Sequence, residues 1–165
     1  MASELEGNAT GFTTLSSTLW RLREVLDQLL FKVFQTQLVA RSGEVRWLSR
    51  TTRELDAALQ EARHVEVLRA VETVGLADRL GVPPDLTAAQ LIRLAEPPWD
   101  TIFEEHRDAL VTLAQQITAA AADVPTVQLS DDDPDEADLV RKFLGETLAN
   151  ATPASLAAFL QLDRV

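Results

Sequence analysis

Apolar residues fall on this chain in steps of four and three. Leu15, Leu19, Leu22, Leu26, Leu29 and Val33 form one such row. That spacing keeps a single apolar stripe on one helix face over about five turns. The row predicts a helix over 14–41. Val45, Leu48, Thr52, Leu55, Leu59, Ala62 and Val65 repeat the step beyond Gly43 and predict a second helix over 45–80. The first helix carries a further apolar flank of Trp20, Val25, Leu30, Phe31 and Phe34, which calls for more than one neighbour and hence a bundle.

Breakers and caps divide the rest. Gly43 can end the first helix as a left-handed cap or sit inside a continuous bend; the turn is the expectation, because antiparallel packing of the two seams needs a reversal. Gly81 stands where a helix C-terminus needs a left-handed residue, and Val82-Pro83-Pro84 forbids continuation. Thr87 and Gln90 have the spacing of a capping box and open a short helix near 88–95. Trp99, Phe103, His106, Leu110, Leu113, Ile117 and Ala120 make a third long seam over 99–122. Asp133-Pro134-Asp135-Glu136 is a strong helix start. Beyond it Leu139, Val140, Phe143, Leu144 and Leu148 share one apolar face, and Thr152-Pro153 begins a last segment with Leu156, Phe159, Leu160 and Leu162.

The expected fold is therefore all-α: an antiparallel bundle of long amphipathic helices with a short connecting helix and a C-terminal amphipathic tail. Residues 1–13 read as a disordered N-terminus, 14–123 as the bundle, 124–134 as an acidic linker and 135–165 as the amphipathic segment. The tail has two readings. Short helices rarely survive alone in water, so it either folds back on the bundle or folds on a partner.

The net charge of −11 is concentrated. Seven carboxylates fall between Asp123 and Asp138, while Arg21 to Arg79 is near balance. This argues against nucleic-acid binding, which needs clustered Lys and Arg. There are no cysteines, so disulfides and thiolate sites are excluded. The acidic N-terminus does not read as a signal peptide. The uncharged run from Ala109 to Ala122 is too short and polar to insert in a bilayer. A cytoplasmic protein is expected.

Catalytic patterns are weak. Glu61 and His64 have the spacing of one carboxylate–histidine ligand pair, but a di-metal bundle needs two, and His106 is preceded at that distance by Phe103. No nucleophile elbow or phosphate loop is present. Glu104, Glu105 and Asp108 read as a solvated face, and Trp20, Trp47 and Trp99 as bundle packing. No enzyme activity, metal or cofactor is expected.

The phrases LLFKVFQTQLV, RWL, RAVE and LADRLGVPP, then PPW and EEHRDAL, resemble the flagellar export chaperones of the FlgN type, in an actinobacterial-like form, over about residues 15–120. Where the wider family has a glutamate-rich phrase in its first helix, this chain has Gln35, Thr36 and Gln37. The resemblance implies a helical cytoplasmic protein that binds hook-associated (hook–filament junction) subunits, prevents their premature assembly and delivers them to the type III export apparatus. It also implies partner binding through the C-terminal region, here Leu139, Val140, Phe143, Leu144 and Leu148. The competing expectation is a coiled-coil adaptor that self-associates, as a homodimer, through its seams.

Overall fold

The computed structural model describes residues 2–123 and 134–162, without the side chains of 2–5, 45, 134–137, 139 and 140. Among the described residues there are six helices: α1 (Ala2–Ser42), α2 (Val45–Leu80), α3 (Ala88–Leu94), α4 (Trp99–Ala122), α5 (Pro134–Ala149) and α6 (Ala154–Leu160). Among the described residues there is no strand, and no helix is long and apolar enough to cross a membrane.

α1 and α2 form an antiparallel hairpin. Gly43 reverses the chain with φ of +73°, a conformation that a Cβ disfavours. The register is pinned by Lys32–Glu54, Arg21–Glu61 and the Thr36 hydroxyl on the Thr51 carbonyl. The α1 seam is fully used: Leu15, Leu19, Leu22, Leu26, Leu29 and Val33 are all buried. From α2, Leu55, Leu59, Ala62, Val65 and Leu76 join the same core. Gly81, with φ of +66°, ends α2, and the Val82 amide reaches back to the Ala77 carbonyl.

α4 runs parallel to α1, since Ser16 meets His106 and Arg41 meets Asp123. The buried Gln37 amide donates to the Ala120 and Asp123 carbonyls at 2.6 and 2.8 Å. It thereby ties the C-terminal end of α4 to α1 and gives the Asp123 carbonyl, just past the helix, a donor. α3 opens on the Thr87–Gln90 capping box and packs on α4.

The structure corrects the N-terminus. Residues 2–13, expected to be disordered, are the first turns of α1. The hydroxyls of Thr10, Thr13 and Thr14 bond carbonyls one turn back, so these polar residues are compatible with a helix. Tertiary contact supplies the rest. Gly11 lets Leu76 and Arg79 of α2 come so close that a Cβ there would lie 3.1 and 2.8 Å from their side chains. Phe12 is buried against Trp99 and Phe103, with ring centroids 5.9 and 5.7 Å away. Of the expected acidic linker, residues 124–133 lie outside the described residues, and Pro134 already belongs to α5.

Candidate partner-binding surfaces

The C-terminal helices lie against the chain's own bundle. α5 packs on α4, and α6 touches α2, α3 and α4. Of the five residues put forward as a docking face, Leu144 and Leu148 are 1% and 3% exposed and belong to the main core. Phe143 is partly exposed on the other side of the helix. The Leu139 and Val140 side chains lie outside the described residues. The proposed docking face is therefore not free as one surface. Its two buried leucines cover the apolar side of the bundle, alongside Leu156, Phe159 and Leu160 from α6.

The wide flank of α1 divides. Val25 is buried and Leu30 packs on the core, whereas Trp20, Phe31 and Phe34 stay half-exposed or more. Leu38 joins them at 64% exposure, so Phe31, Phe34 and Leu38 make an outward row with helical steps of three and four. Cations cover several of these rings. Arg23 lies 4.1 Å over Trp20, Lys32 5.6 Å from Phe31, and Arg46 5.1 Å over Trp47. Below Trp20 a groove of about 630 Å³ runs between α1 and α4, lined by Glu24, Asp27, Asp108, Thr112 and Leu113 among others. Of the three tryptophans, only Trp99 packs with the core; Trp20 and Trp47 lie at the surface.

His106 is a strongly perturbed titratable group. It is buried, with Nε2 3.0 Å from Ser16 Oγ, Nδ1 3.5 Å from the Arg23 guanidinium, and the Trp20 ring edge-on at 5.1 Å. Burial, then the positive charge of Arg23, pushes its pKa down to about 4. The neutral ring thus accepts from Arg23 at Nδ1 and donates from Nε2 to Ser16. A Ser–His pair at this distance can resemble a nucleophile and its base. Here the geometry opposes that chemistry. A catalytic histidine is steadied by an acid that favours the imidazolium. Arg23 stands in the acid's place and disfavours it. The space beside the ring, between Leu91, Phe103 and Phe159, has no room for a water molecule.

Glu61 is engaged by Arg21 at 2.6 Å, and His64 is exposed. Among the described residues no three His, Cys, Asp or Glu side chains are grouped to hold a metal ion.

One surface was overlooked in the sequence. Val67, Val71 and Val74 of α2 are 64%, 63% and 49% exposed. Their four-three step is visible in the sequence, offset from the Ala62–Val65 seam, but a stripe's existence does not say that it is left uncovered.

Comparison with protein-family models, curated proteins and solved structures returns no match to this chain.

Proposed function

We propose that this chain is a cytoplasmic, non-enzymatic export chaperone of the FlgN type that holds hook-associated flagellar subunits unassembled and hands them to the type III export apparatus. Two things support the reading: the resemblance of residues 15–120, and the outward row of Phe31, Phe34 and Leu38 on the first helix of the bundle. That row is the observation that carries it. A bundle with a satisfied core and three large apolar side chains at helical spacing offers a track for a partner's amphipathic helix. These side chains are already partly covered, so completing their burial would contribute about 1–2 kcal/mol each. Ordering the partner offsets part of that, and the outcome suits a hold that can be released. In this reading the tail residues Leu144 and Leu148 stabilise the bundle, and the partner binds α1.

Calorimetric titration with purified hook-associated subunits tests the proposal. Binding should be seen with at least one of them. Phe31→Ser combined with Phe34→Ser should weaken it tenfold or more while the melting temperature holds, since both rings are exposed. The reading fails if none of these subunits binds. The assignment to α1 fails if the double variant binds like the parent.

A further inference from the structure

We propose that two copies of this chain pair through the outward face of α2, the helices antiparallel about a two-fold axis midway between Ala70 and Val71. This goes beyond the chaperone reading and does not depend on it. The starting observation is three valines lying exposed on one helix. Val67, Val71 and Val74 point away from the side of α2 that carries Val65 and Leu76 into the core. They also point away from the side where Glu66, Arg69 and Thr73 are buried and Arg69 meets Phe159 of α6. Among the described residues they stay 64%, 63% and 49% exposed. β-branched side chains lose little further freedom when packed, and they favour a helix less than leucine or alanine does, so their use on a bare face is otherwise unexplained.

The second observation selects the occupant. Read outward from the midpoint of Ala70 and Val71, the face is symmetric in position and opposite in charge. Val67 and Val74 are equidistant from that point, as are Arg63 and Asp78. An antiparallel two-fold pair therefore sets Val67 against the partner's Val74, Ala70 against the partner's Val71, and Arg63 against the partner's Asp78. It does so twice, once at each end of the contact. A parallel pair would set arginine against arginine and aspartate against aspartate. Charge complementarity thus favours a second copy in one orientation. Among the described residues neither Arg63 nor Asp78 forms an ion pair within the chain. The small Ala70 beside the axis allows the two helices to approach closely.

The pairing face is separate from the aromatic row of α1. Lys32 is level with Glu54 in the hairpin, which places Phe31 and Phe34 roughly 25 Å along the bundle from the proposed axis at 1.5 Å per residue.

Sedimentation velocity over a range of concentrations tests the proposal. The full chain should show a monomer–dimer equilibrium. Val71→Glu should weaken the dimer tenfold or more and leave the melting temperature unchanged at concentrations where both proteins are monomeric, because the side chain is exposed in the monomer. Arg63→Asp alone and Asp78→Arg alone should each weaken it, by making like charges meet. The double variant Arg63→Asp with Asp78→Arg should restore it to within a few-fold of the parent. A chain that stays monomeric throughout overturns the proposal. So does a dimer indifferent to Val71→Glu, or one in which the double swap is no better than the single swaps. None of these outcomes bears on whether hook-associated subunits bind, which is measured separately.

Discussion

The guanidinium of Arg69 lies 4.2 Å from the centroid of the Phe159 ring, so the last helix of the chain is seated on a buried charge. Glu66 holds that charge in a two-pronged grip at 2.6 and 3.1 Å, and the Thr73 hydroxyl accepts from Arg69 at 3.2 Å. All four side chains are buried. The arrangement joins α6 to α2 across 90 residues of sequence. It explains why α6 is part of the bundle. With the ring removed, an ion pair would be left facing an empty space.

Arg69→Met should destabilise the protein by about 3–5 kcal/mol, because it strands the Glu66 carboxylate in the core. Adding Glu66→Leu to Arg69→Met should recover much of that loss, since no charge is then left unpaired. Urea unfolding of the single and double variants measures both. A single variant as stable as the parent would show that the pair is not buried.

Leu144→Ala should cost about 2–5 kcal/mol, as expected of a fully buried leucine. Phe143→Ala, one residue earlier on the exposed side of α5, should change stability by about 0.5 kcal/mol or less. Thermal unfolding of the two variants compares them directly. Equal and small effects would mean that the tail stabilises nothing and that its apolar face is free.

His106 should make the protein sensitive to mild acid. Its folded-state pKa of about 4 lies below the ordinary 6.5, so the unfolded chain takes up this proton first. The stability that depends on the neutral ring is therefore complete above pH 6.5. It falls as pH drops from 6.5 towards 4 and changes no further below. A shift of this size corresponds to about 3 kcal/mol across that window. Unfolding of the parent and of His106→Gln at several pH values isolates the contribution as the difference in slope. The NMR signals of the His106 ring should report a neutral imidazole at pH 5.5.

Two glycine substitutions should have opposite signs. A Cβ at either Gly81 or Gly145 meets open space. Gly81→Ala forces an L side chain into the left-handed region at φ of +66° and should cost about 1 kcal/mol. Gly145→Ala lies within α5 and should stabilise by about 0.5–1 kcal/mol by lowering the entropy of the unfolded chain. Melting temperatures of the two variants give the signs.

What this sequence determined by itself is local. The helical period of α1, the Gly81 stop and the Thr87 capping box all follow from a residue's nearest neighbours along the chain, and the structure has each where the spacing put it. The helical class follows from the same signals. The seams also match the inner faces of α2 and α4, apart from Thr52 and Leu113, which yield their places to the neighbouring Thr51 and Ala114; the Val45 side chain lies outside the described residues. What the sequence left open was which apolar face would be covered. α1 has two stripes and α2 has two, and periodicity weighs them alike. Leu22 and Phe31 differ in exposure because α2 and α4 flank one side of α1 and leave the other bare. The polar start of α1 is helical because Phe12 finds Trp99 and Phe103, far off in sequence. Leu144 and Leu148 are core residues because α5 returns along α4. In each case a short-range pattern makes a face apolar, and burial goes to the face that a distant part of the chain can reach.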